Sequence, residues 1–215
     1  MTSSVPDLRG PLAEASTWYA ALVAGTRDDQ LAAPTPCVDY DVRTLMAHMS
    51  VVLDKITGFG SDHKDLYTDH AASPAEQARA REDRAAAVVD GHTPQERADA
   101  VRAQVAAAES AWTDDTLTTP IQLGWGPILP GGVVTAIYLM EVLAHAWDLA
   151  TATGQPAEAP GPLGAIGYET ARQTLPAGEA RAGFPFDDPV EPAADAGPTE
   201  KMANWTGRVS RPSQA

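Results

Sequence analysis

The segment Gly131–Gly154, GGVVTAIYLMEVLAHAWDLATATG, constrains the chain more than any other. It is long enough for about six helical turns. Two glycines open it, and Gly154 closes it at a position where a left-handed backbone favours glycine. Val134, Tyr138, Leu139, Val142, Ala146 and Leu149 spread apolar surface around most of its circumference, which predicts a helix set deep in a bundle. Glu141 and His145 interrupt that pattern. Four residues apart, they share one face with Val134 and Tyr138, and Asp148 lies nearly over Glu141 two turns on. Burying a carboxylate and an imidazole is costly unless both are partnered. Two readings meet that demand. Either the pair hydrogen-bonds within the core and fixes its register, or the two are ligands of a divalent ion whose third ligand comes from another helix.

Composition narrows the class. A chain of 215 residues supports one good-sized domain, or one with a small appendage. Aromatic residues make up only 6%, alternating strand patterns are scarce, and an all-α protein is expected. The net charge of −14 argues against nucleic acid and against an anionic membrane surface as partners. No apolar run is expected to reach the ~18 residues of a membrane span. The start, MTSSVPDLRG, lacks the apolar stretch of a secretory leader. The single Cys37 excludes an internal disulfide and fits a reducing compartment, so a cytoplasmic location is expected.

In chain order, residues 6–30 read as a first helix with Leu8, Leu12, Ala15, Tyr19, Leu22 and Val23 on one stripe. Pro34 and Pro36 stop any helix there. Asp41 is the expected N-cap of a second helix over 42–58, which carries His48 beside its apolar face. A polar loop is predicted over 58–72, with His63 and His70 solvated. Ser73-Pro74-Ala75-Glu76 and Thr93-Pro94-Gln95-Glu96 are capping boxes that start helices at 74–89 and 94–113. Arg79, Arg81 and Arg84 on the first of these read as a solvated face, or as an anchor for an acidic substrate. The stretch 114–130, rich in Pro and Gly, reads as a loop, with Trp125 exposed; it either rims a pocket or merely crosses one end of the bundle. After a linker, a peripheral helix is expected over 161–175, irregular chain over 176–198, and a last helical turn near 201–207. The four long helices make one four-helix bundle over 1–155, with a long crossover holding the 74–89 helix. Residues 156–215 form an irregular C-terminal extension packed on it.

TPCVDYDVRTLMAHM, followed some 90 residues later by YLMEVLAHAWDLATATG, resembles the DinB/YfiT-like metalloprotein superfamily. The branch is that of the mycothiol-dependent maleylpyruvate isomerases and their shorter actinobacterial relatives, whose Gly-Arg-x-x-x-Pro ending the tail NWTGRVSRP also resembles. The resemblance implies a DinB-like four-helix bundle holding one divalent ion, typically zinc, with nickel, iron or manganese as alternatives. It maps the ligands onto His48, Glu141 and His145, and gives Asp148 a supporting role that orients His145 or a bound water. Imidazole nitrogen and carboxylate oxygen are normal zinc donors, and three protein ligands leave one position open. Cys37 sits in a turn typical of the family and reads as structural.

The function so implied is a metal-dependent enzyme that activates a thiol such as mycothiol, or a water, for S-transfer to a small electrophile or for its isomerisation. The alternatives are a non-catalytic metal- or ligand-binding bundle and a thiol-independent cyclase or isomerase of secondary metabolism. The full-length isomerases carry a substantial second domain, whereas only some 60 residues follow the bundle here, so maleylpyruvate itself is not implied as substrate. Either a monomer or a homodimer suits such a bundle.

Overall fold

A computed structural model of the chain describes residues 7–38, 40–65, 73–124, 126–181 and 186–210. Trp125 and His70, singled out above, lie outside them.

The protein is built from α-helices, with one small hairpin. Helices α1 (Arg9–Ala24), α2 (Val42–Asp62), α4 (Pro94–Ala111) and α6 (Gly131–Thr153) form the bundle. Helix α1 packs against α4 and α6, and so does α2, so α1 and α2 face each other across a diagonal. Helix α3 (Pro74–Val88) lies along α2 in the crossover. Leu45, Leu53, Leu139, Leu143 and Leu149 are fully buried at the centre, and α6 is covered on almost every side. By length and composition α6 alone among the described residues is apolar enough to cross a membrane, and most of it is buried inside the protein.

Local chemistry accounts for the helix ends. The Asp41 carboxylate accepts from the Thr44 amide at 2.7 Å and starts α2. The boxes Ser73/Glu76 and Thr93/Glu96 are both closed, and Gly154 ends α6 at φ 73°. The first helix is shorter than expected. It stops at Ala24, where Arg27 turns extended and its amide donates to the Gln30 side chain, starting a separate 3₁₀ turn over Asp28–Gln30.

Helix α2 runs longer than its glycines suggest, through Gly58 and Gly60 to Asp62. A β-carbon at Gly60 would lie 2.8 Å from that of Ala111, so this glycine serves the close approach of α2 to α4 and not a helix end. The polar loop therefore starts later than predicted.

The 114–130 stretch is more ordered than a loop. It holds a short helix α5 (Asp114–Thr118) and a hairpin of β1 (Pro120–Gln122) and β2 (Ile128–Pro130), with Ile121 opposite Leu129. Three-residue strands are too short for a period of two to show in a sequence. Ile121 and Leu123 are buried beneath the helices. After α6, helices α7 (Leu163–Thr174) and α8 (Pro198–Trp205) pack on each other and on α6. The Arg181 guanidinium donates to the carbonyls of Pro176, Asp187 and Trp205, which ties the irregular segments between these helices together.

Candidate functional site

The side chains on one face of α6 dictate where chemistry can occur. At 100° per residue, positions 141, 145 and 148 fall within an arc of roughly 60°. That arc looks across the seam to α2, where His48 projects from the second turn after the Asp41 cap. His48 Nε2 lies 3.1 Å from Glu141 Oε1, and His145 Nε2 lies 3.3 Å from the same oxygen. The two imidazole rings meet edge to face with centroids 4.9 Å apart. All three donor atoms lie within 4.8 Å of one another, an arrangement able to hold a metal ion. The structure thus brings together the three residues that the two sequence motifs carry separately.

Asp148 stands behind this cluster. Its Oδ2 accepts from His145 Nδ1 at 3.0 Å, and the side chain has no solvent exposure. That bond leaves Nε2 as the ring atom facing Glu141 and His48.

The electrostatics are set by burial and by mutual contact. Burial opposes ionisation of Glu141, yet the two imidazoles beside it prevail and hold its carboxyl well below the usual range. Burial likewise opposes the charged form of His145, but Glu141 and Asp148 outweigh it and raise its pKa. At His48 burial wins over Glu141, and the pKa falls. Two imidazole nitrogens grouped around one carboxylate oxygen are the kind of donor set that a divalent cation takes.

The cluster opens onto a cavity of about 540 Å³. One wall is the turn before α2. There the Thr35 hydroxyl donates to the Tyr40 carbonyl at 2.7 Å, and this turn presents Cys37 and Tyr40 to the cavity. The Tyr40 ring lies 5.2 Å from that of His48. Burial raises its phenol pKa, with Arg81 opposing. The other wall is C-terminal: Phe186, Asp187, Gly207, Arg208 and Val209. Val38 and Val209, 91% and 65% exposed, form an apolar rim.

Of the remaining sequence candidates, His63 is exposed at the end of α2, as expected. The three arginines of α3 separate. Arg84 pairs with Asp54 of α2 at 2.6 Å, Arg79 lies near Asp83 on the surface, and only Arg81 approaches the cavity, beside Tyr40. They form no common anchor. Cys37 lies beside His145 and Asp148. Sequence reasoning missed Tyr40, Phe186 and Arg208. Tyr40 and Arg208 do lie inside motifs recognised as family-like, TPCVDYDV and NWTGRVSRP, which was the available signal.

Comparison with known proteins follows the same lines. The family model for the mycothiol maleylpyruvate isomerase N-terminal domain matches residues 12–150. Two uncharacterised proteins of Mycobacterium tuberculosis, from strains CDC 1551 / Oshkosh and ATCC 25618 / H37Rv, are each 32% identical over 200 residues, covering 90% of this chain and 93% of theirs. Among solved structures, that of the mycothiol-dependent maleylpyruvate isomerase superimposes with a TM-score of 0.56 at 15% identity, covering 77% of this chain and 68% of the other. A histidine-to-alanine mutant of that enzyme gives 0.54 at the same identity and coverage. At that identity the likeness concerns the fold.

Proposed function

The chain belongs to the family of the mycothiol maleylpyruvate isomerase N-terminal domain, and from that premise we propose that it is a metal-dependent enzyme acting on a small electrophile with the help of a low-molecular-weight thiol. The observation that carries this reading is the convergence of His48, Glu141 and His145 on one point at the floor of a cavity. The donor chemistry fits the ion implied by the family: two imidazole nitrogens and a carboxylate oxygen make a three-ligand zinc set with a position left open. Nickel, iron or manganese would accept the same donors. When bound, the ion supplies Lewis acidity that lowers the pKa of a thiol or water at the open position.

The residues of the chain divide the remaining work. His48, Glu141 and His145 hold the ion. Asp148 accepts a hydrogen bond from His145 Nδ1–H and so keeps the Nε2 lone pair directed at the cluster. Tyr40 and Phe186 wall the cavity onto which the donors open with aromatic surface. The thiol is of the mycothiol type, and the outcome is S-transfer to the electrophile or thiol-assisted isomerisation. The bundle over residues 1–155 supplies the donors, and the extension over 156–215 supplies the far wall of the cavity.

Elemental analysis of untagged protein purified without added metal tests the first half of this reading, with about one equivalent of a divalent metal expected. Metal-free protein that also fails to take up zinc would overturn it. Thiol consumption with a panel of model electrophiles, compared between stripped and reloaded protein, tests the second half. Tight metal binding with no turnover across the panel would make the protein a binder instead of an enzyme.

A further inference from the structure

A charged side chain from the far end of the sequence reaches the back of the donor cluster. Arg208 Nη2 lies 3.1 Å from Asp148 Oδ2, and its Nε is 3.4 Å from both carboxylate oxygens. The same Oδ2 accepts from His145. Arg208, Asp148 and His145 thus form a continuous chain leading from the C-terminal segment to the metal-ligand face of α6.

The backbone is shaped to deliver this contact. Helix α8 ends at Trp205, and Gly207 turns through φ 93°, a left-handed conformation that L side chains rarely adopt. A β-carbon there would stand 2.4 Å from that of Asp187. The Arg208 amide donates to the Ala203 carbonyl at 3.0 Å, and the Asn204 side chain donates to the Arg208 carbonyl at 2.8 Å. The residue is therefore held from both sides, and its side chain is only 11% exposed.

The charge balance favours an arginine beside Asp148. A histidine that ligates a metal must be neutral. In that state His145 gives Asp148 a hydrogen bond but no countercharge. A fully buried carboxylate without a countercharge is strongly disfavoured. The guanidinium supplies that charge, with Nη2 and Nε both directed at Oδ2 and Nε also 3.4 Å from Oδ1.

We propose that Arg208 is a positioning residue of the site: it holds Asp148 in place, and through Asp148 it fixes the His145 ring with Nε2 toward His48 and Glu141. The C-terminal segment is then a working part of the centre as well as a wall. This inference rests on the metal reading above and goes one step past it.

Zinc affinity of the full chain, measured by chelator competition, tests the proposal. Arg208→Gln is expected to weaken zinc binding about tenfold or more, the scale of lost outer partners of a metal ligand. Arg208→Lys should lose less, because it keeps the charge but not the fork. The decisive comparison is with Asp148→Asn. If Arg208 acts through Asp148, adding Arg208→Gln to Asp148→Asn should cost little more than Asp148→Asn alone. In the metal-free protein, the ¹⁵N imidazole resonances of His145 should shift in Arg208→Gln while the helical circular dichroism holds.

Full zinc affinity in Arg208→Gln, or losses that add in the double variant, would overturn the proposal. Should Arg208→Gln fail to fold, Arg208→Lys decides by the same cycle: a loss that disappears beside Asp148→Asn supports it, and no loss or a persistent one overturns it. Absence of zinc uptake by the wild type is a different result, which removes the metal reading itself and this inference with it.

Discussion

His48 and Glu141, 93 residues apart in the chain, meet at 3.1 Å across the seam between α2 and α6. Nothing local holds them there: His48 is placed by the packing and register of α2, and Glu141 by the depth of α6. His48→Ala and His145→Ala should each reduce bound metal to background in elemental analysis and leave the helical circular dichroism largely intact. Full metal occupancy in both variants would show that the ion is held elsewhere.

Gly131 opens α6 directly beneath α5. A β-carbon there would lie 2.0 Å from the Thr116 carbonyl oxygen, a backbone atom with no flexible end to move aside. Gly131→Ala should therefore destabilise the protein by about 1–3 kcal/mol in urea unfolding, the usual cost of forced overpacking. An unchanged midpoint would mean that α5 moves away freely.

Asp41 caps the helix that carries His48. Removing its carboxylate in Asp41→Ala should cost about 0.5–2 kcal/mol of stability, read from thermal or urea unfolding. His48 lies well inside the helix, so zinc affinity should fall far less than in His48→Ala. Equal losses would mean that the cap, more than the helix packing, sets the position of the ligand.

Arg43 joins the start of α2 to α3 through Glu82 at 2.8 Å and to the turn after α3 through Asp90 at 2.7 Å. These hydrogen bonds hold both carboxyls below their ordinary values of 4.5 and 3.8. A depressed carboxyl pKa contributes stability that is complete above the unfolded value and is lost as pH falls through the folded one. The stability difference between wild type and Arg43→Gln should thus be constant from neutrality down to about pH 5 and shrink below pH 4, as acid titrations of urea unfolding would reveal. A difference that survives to pH 2 would assign the effect of Arg43 to packing.

How far the sequence reaches can be judged element by element. The capping boxes at Ser73 and Thr93, the Asp41 cap and the Gly154 stop are local signals, because the atoms that satisfy each helix end lie within a few residues of one another. Gly60, beyond the expected helix end at 58, is the opposite case. Its meaning depends on Ala111 of a helix far along the chain, and in isolation a glycine reads as a break. The hairpin at 120–130 escaped notice because its strands are too short to show a period.

The site divides in the same way. Glu141, His145 and Asp148 share a helix face by arithmetic alone, and their polarity in an apolar helix marks them out in the bare chain. Family likeness, not periodicity, pointed to His48. The cavity walls, the approach of Tyr40 and the reach of Arg208 to Asp148 were settled only by the packing of distant segments. The sequence by itself determined where helices begin and end and which helix had to be innermost, since those follow from interactions within a turn or two. Tertiary structure alone decided which charges face one another. A buried carboxylate accepts whatever donor the fold brings to it, and no spacing along the chain encodes that encounter.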